Sequence, residues 1–113
     1  MSTHNDPSPE KRAVQAASLI QQGVERHQMG DHEGAIDSLL DALRVLEPTS
    51  DIPAQALTWH HLGTVRYAIG NLRDSYTAFA KARELALAAG DEDRAAHTLG
   101  NMGLIQSDLG VSV

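Results

Sequence analysis

Shifted by 40 residues, the chain falls on itself: Gly23 meets Gly63 and Gly103, and Gly30 meets Gly70 and Gly110. Large positions keep that register, in Leu19, Trp59 and Leu99, in Met29, Ile69 and Leu109, and in Leu39 and Phe79. So do Ala42 with Ala82 and Asp51 with Asp91. A fixed period of this length marks a stacked array, because a single unit cannot bury its own apolar face and needs a neighbour.

Within each unit the spacing is helical. Ala16, Leu19, Ile20, Gly23 and Val24 recur at three and four and form one stripe, and Ile36, Leu39, Leu40, Leu43 and Leu46 repeat it after a break at Gly30 and Asp31. Gly30 can end one helix in a left-handed conformation, and Asp31 can accept backbone N–H bonds as the next N-cap. The second unit predicts a helix over Ala54 to Ile69, a turn at Gly70 and Asn71, and a helix over Leu72 to Ala89. Pro48 to Asp51 separates the units, and Pro53 is tolerable in a first turn, where its missing donor costs nothing. Gly90 and Asp91 then precede a last helix over Glu92 to Leu109. The expectation is five helices with no strand, as two hairpins and half of a third, in a single domain from residue 10 to 113 behind a flexible segment 1 to 9.

Length and charge exclude much else. At 113 residues there is room for a modest core but not for a cleft between domains. No cysteine is present, so disulfide frameworks, thiolate metal sites and cysteine nucleophiles are out. A net charge of −6 repels phosphate backbones and argues against nucleic acid. The longest apolar run, Leu85 to Ala89, is far too short for a membrane span, and the polar start lacks an export signal, so a cytoplasmic location is expected.

Glycine inside a helix costs about 1 kcal/mol relative to alanine, so Gly23, Gly63 and Gly103 imply close helix approach against small residues such as Ala35, Ala42 and Ala82. Leu39 and Phe79 are expected to fill the wedge between hairpins.

Trp59, Leu62, Gly63, Gly70, Phe79 and Ala82 in the second unit, with Leu19, Gly23, Gly30, Ala35, Leu39 and Ala42 in the first, resemble the tetratricopeptide repeats. The likeness covers Ala13 to Gly110, and the long period together with Leu99 to Gly103 is similar to the subclass found in kinesin light chains and bacterial regulators. Gln22, Ser75 and the placement of Tyr67 depart from the family pattern. The resemblance implies an all-α, right-handed α-solenoid of antiparallel hairpins, two full repeats plus a terminal helix. It also implies binding rather than catalysis: an adaptor or scaffold whose first helices line a concave groove for a peptide or protein. Carried over by residue, the groove comprises Gln21, His61 and Asn101, then Val24, Thr64 and Leu104, with Gln28, Tyr67 and His97 nearby. The Asn101 amide can offer a donor and an acceptor to an extended backbone. Ile20 and Val24 stand where the family's clamp for a C-terminal carboxylate would need polar groups.

Three further features bear on function. Glu33, Asp37 and Asp41 form an acidic stripe whose counterparts 40 residues on are Arg73, Thr77 and Lys81. The plain reading is a solvated face; the sharper one is packing order set by opposite charges. Adjacent His60 and His61 point about 100° apart on a helix and cannot easily share an ion. His61 and His97 could meet across helices, yet no carboxylate pair completes a site. No metal, cofactor or catalytic centre is therefore expected. Finally, Leu99, Met102, Ile105 and Leu109 are left without the partner helix that the repeat leads one to expect. That stripe is either a solvating cap, a contact with a second copy in a possible homo-oligomer, or the edge of a longer array. Head-to-tail stacking through this helix, with no separate ligand, is the alternative function.

Overall fold

The computed structural model describes residues 7–110. They form five helices and no strand: α1 Pro9–Gln28, α2 His32–Leu46, α3 Ile52–Ala68, α4 Leu72–Ala88 and α5 Glu92–Asp108. Pro9, the last residue of the segment expected to be flexible, opens α1, and the Ser8 hydroxyl caps it by accepting from the Lys11 N–H. Residues 1–6 lie outside the described residues.

Each helix begins and ends by local chemistry. Asp31, Asp51 and Asp91 accept from the N–H groups of Gly34, Ala54 and Arg94, satisfying donors that a first turn leaves over. Asn71 holds the same position without that bond; its amide donates to Asp74 at 2.8 Å instead. The turns after α1 and α3 place Gly30 and Gly70 at φ of +85° and +81°, where a Cβ would be strained. Between hairpins the Leu46 carbonyl accepts from the Thr49 hydroxyl at 2.6 Å and from the Gln55 amide at 3.1 Å.

α1 packs against α2 and α3 against α4 as antiparallel hairpins, while α3 rests on α2 and α5 on α4. The result is elongated, 55 × 32 × 20 Å. A first core joins Ile20, Leu39, Leu62, Val65 and Ala78, with Trp59 packed against it. A second joins Phe79, Met102 and Ile105. Alanines 56, 86 and 95 meet where the second hairpin turns into α5.

The helical glycines differ from expectation in two respects. Gly103 makes no close approach, with nothing within 4 Å of an added Cβ, and Gly23 and Gly63 do not chiefly face small residues, since the large side chain sits directly on them. A Cβ at Gly23 would lie 2.8 Å from Leu39 Cγ, and one at Gly63 2.8 Å from the Phe79 ring. Leu39 and Phe79 thus each enter a hole cut in the first helix of their own hairpin, and each also shares a core with the helix that follows the hairpin. Ser75, where the resemblance leads one to expect alanine, fits because its buried hydroxyl donates to the Gly63 carbonyl at 2.7 Å.

Gln22 has a positional reason too. Thr58, Leu62 and Val65 in α3, and Thr98, Met102 and Ile105 in α5, are buried against the preceding hairpin. The matching residues of α1, Ser18, Gln22 and Glu25, have no described helix before them and are exposed. That face of α1 is therefore polar where the matching faces of α3 and α5 are buried.

Charge does not tie the hairpins together among the described residues. Asp41 pairs with Arg44 in its own helix, as Lys81 does with Glu84 at 3.6 Å. These exposed pairs contribute at most about 1 kcal/mol each. None of the described helices is long and apolar enough to cross a membrane.

Gly63→Ala should destabilise the fold by about 1–3 kcal/mol, because the Phe79 ring must move aside. Gly100→Ala, with nothing within 4 Å of the added carbon, should stabilise it by up to about 1 kcal/mol. Urea unfolding followed by circular dichroism measures both, and equal effects at the two sites would contradict the packing described.

Candidate functional site

The first helices of the units present one shared face with two hollows on it. One, of about 40 Å³, lies between α1 and α3 and is lined by Val24, His27, His61 and Thr64 over a floor of Leu39 and Val65. The other, of about 110 Å³, lies between α3 and α5 and is lined by Thr64, Tyr67, Asn101 and Leu104 over Phe79 and Ile105. Thr64 belongs to both. Their floors are the two large residues seated on Gly23 and Gly63, so the contact that sets helix spacing also sets the depth of the hollows.

Six of the residues expected to face a groove are gathered here: Val24, His61, Thr64, Tyr67, Asn101 and Leu104. Gln21 is not among them. It lines a separate surface depression with Ala13, Ala17 and Leu57, and its amide donates to Glu25 at 3.4 Å. Gln28 is exposed at the last position of α1 and lines neither hollow. His97 lies outside both and packs against His60, ring centroids 5.5 Å apart.

Side chains around the hollows are unequally committed. The Thr64 hydroxyl donates to the His60 carbonyl one turn back at 3.1 Å, so its proton is already committed. Tyr67 donates to the Asp108 carboxylate at 2.6 Å and so ties α3 to α5 across the larger hollow. That bond, and the negative charge behind it, raise the Tyr67 pKa above the ordinary phenol value. Asn101 makes no side-chain hydrogen bond among the described residues, so its donor and acceptor are both available at the rim. Leu104, 61% exposed, is the largest apolar surface beside it.

His60 is the residue that sequence reasoning missed. It was His61 that the sequence set against His97; in the structure His61 turns instead towards α1, beside His27. His60 lies between α4 and α5, edge-on to Phe79 at 5.3 Å and with Nδ1 3.4 Å from the Thr98 hydroxyl. A signal existed: position 60 repeats that of Ile20, a core residue, so a titratable ring stands in an apolar column. Burial, then the nearby His61, Arg94 and His97, lower its pKa to about 4. Burial likewise lowers that of His61, with Arg94 and His27 adding to it.

No three histidine, cysteine or acidic groups among the described residues are arranged to hold a metal ion. His27 and His32 face each other with Nδ1 atoms 3.1 Å apart, within hydrogen-bonding distance.

The two residues of the terminal stripe at positions 102 and 105 require a correction. Met102 and Ile105 are 8% and 1% exposed, buried against Phe79 of α4, and are closed to any partner. Leu99 and Leu109 are exposed. Apolar residues three and four apart on α5 serve two different faces, and only the inner one meets α4.

Neither a family model, nor a curated protein, nor a solved structure matches this chain.

His60 gives the array an acid-sensitive joint. Its folded pKa lies below the unfolded value of 6.5, so the unfolded chain binds more protons between the two. The stability it contributes is complete above pH 6.5 and is lost as pH falls towards about 4. With the ring only partly buried, the loss should be roughly 1–2 kcal/mol. Thermal unfolding at pH 7 and pH 4.5 should show His60→Asn less sensitive to acid than the parent chain; His61 retains part of the dependence. Equal sensitivity in the two proteins would show that His60 is not the group responsible.

Proposed function

We propose that this chain is a non-catalytic binding module of the tetratricopeptide-repeat type, a right-handed array whose first helices offer a concave groove to an extended peptide segment of a partner protein. The observation that carries this reading is the pair of hollows joined at Thr64, each floored by apolar side chains and bordered by polar groups. Sites that select peptides combine these elements, with pockets for side chains and hydrogen-bonding groups for the backbone.

The larger hollow supplies most of the affinity. An aliphatic or aromatic side chain entering between Tyr67 and Leu104 would leave water for a floor of Phe79 and Ile105, worth about 1.5–3 kcal/mol. Asn101 at its border would then pair with a peptide N–H and C=O of the same segment. The smaller hollow takes no more than a small side chain, and the lowered His61 pKa keeps that ring neutral near pH 7. The preferred ligand is a short segment with one large apolar residue beside exposed backbone.

Selection from a random peptide library against the immobilised chain tests this. Enriched peptides should share one large apolar position and should bind at least about tenfold more weakly to Asn101→Ala and to Leu104→Glu. Both variants alter exposed or half-exposed side chains and should retain the parent's helical circular dichroism. Enrichment that is indifferent to both substitutions would exclude this face as the site.

A further inference from the structure

We propose that His27 and His32 form a two-nitrogen site for a divalent transition metal ion of the zinc class, at the turn of the first hairpin. The two rings bring their Nδ1 atoms to 3.1 Å while their centroids stand 5.1 Å apart. The nitrogens are thus the nearest parts of the pair, and the rings point inward rather than stack. Zinc holds an imidazole nitrogen at about 2.0–2.1 Å, which puts two such nitrogens about 2.9 Å apart at a right angle and about 3.3 Å apart in a tetrahedron. The spacing of this pair falls between those limits.

Backbone geometry sets that spacing. His27 lies in the last turn of α1 and His32 is the first residue of α2. Between them Gly30 takes a φ of +85°, its N–H donates to the His27 carbonyl at 3.0 Å, and the Asp31 N–H donates to the Arg26 carbonyl at 2.8 Å. The second hairpin makes the same turn with the same bonds, from Gly70 to Tyr67 and from Asn71 to Arg66. There the residues equivalent to the histidines are Tyr67 and Leu72. The turn itself has no need of histidine, so the pair is a property of the first unit alone. Both residues are half-buried, which holds the rings in place and leaves them open to water in part.

Imidazole nitrogen suits zinc, copper and nickel, whereas magnesium and calcium take oxygen. Without an ion, one ring carries its hydrogen on Nδ1 and donates to the other. With the ion, both rings offer Nδ1 lone pairs and carry their hydrogens on Nε2, so two neutral rings bind without losing a proton. No third histidine or carboxylate among the described residues completes the set. Water fills the remaining positions, and the affinity is lower than that of a closed site with four protein ligands. His60, packed on His97, turns its Nδ1 to the Thr98 hydroxyl instead and offers no equivalent pair. An ion held by His27 and His32 fastens the end of α1 to the start of α2, and it stabilises the folded chain by mass action.

Isothermal titration calorimetry of zinc chloride into the full chain, near neutral pH in a buffer that does not bind metal, tests the proposal. Zinc should bind, and magnesium chloride should not. His27→Gln and His32→Gln should each weaken zinc binding at least about tenfold. Both variants should keep the parent's helical circular dichroism, because neither residue is fully buried. His97→Gln changes an exposed histidine outside the pair and should bind zinc as the parent does. In long-range 1H–15N spectra zinc should shift the coordinated Nδ1 signals of His27 and His32 and leave their Nε2 atoms protonated. Absence of binding up to millimolar zinc, full affinity in either pair variant, a loss at His97→Gln, or coordination through Nε2 would each overturn the proposal.

Discussion

A large side chain driven into a gap in the neighbouring helix is the contact on which the rest of this structure depends. Each helical glycine costs about 1 kcal/mol in propensity, and burial of the leucine or phenylalanine above it returns about 1.5–3 kcal/mol. The balance is favourable only while the fit is close. At Gly23 and Gly63 it is so close that even one methyl group would collide. The contact is made at Gly23 and at Gly63, one period apart, and seats α1 on α2 and α3 on α4 in the same way. With α3 resting on α2 and α5 on α4, the first helices come to share one face.

Much of this architecture is legible in the sequence because its determinants are local or periodic. Aspartate caps, left-handed glycines and a 40-residue register fix the number, order and ends of the helices without reference to any distant contact. Tertiary detail is less legible where one residue could serve two neighbours. Spacing of three and four places Leu99, Met102, Ile105 and Leu109 on adjoining stripes of one helix, yet only the position of α4 decides that Met102 and Ile105 turn inward. The glycine holes were foreseen, but their occupants were not, since a large residue reaching into a gap and a small one lying over it are equally periodic.

The candidate site shows the same division. Columns of the repeat gather Val24, His61, Thr64, Tyr67, Asn101 and Leu104 around two hollows, because residues repeating at 40 occupy equivalent places on successive helices. Columns carry no information about where a helix ends, and Gln28, at the close of α1, is exposed and lines neither hollow. Gln21 fails for a different reason: it points to the far side of the α1–α3 seam, beside Leu57. His60 escapes notice because a histidine next to a second histidine reads as surface, whereas its column, shared with Ile20, belongs to the core.

α5 concentrates these demands on a single helix. With about 3.6 residues per turn it presents three separate stripes. Thr98, Met102 and Ile105 face α4; Asn101 and Leu104 border the larger hollow; Leu99 and Gly103 face outward. The inner stripe is the one that holds the helix in place, and it does so with Met102 and against His60 where the preceding contact, of α3 on the first hairpin, uses Leu62 and Ile20. The outer two stripes are therefore free to be shaped by what they contact rather than by what they stabilise. Because they point in different directions, a change at Leu104 leaves the Leu99 and Gly103 surface intact, so the two faces can be altered one at a time.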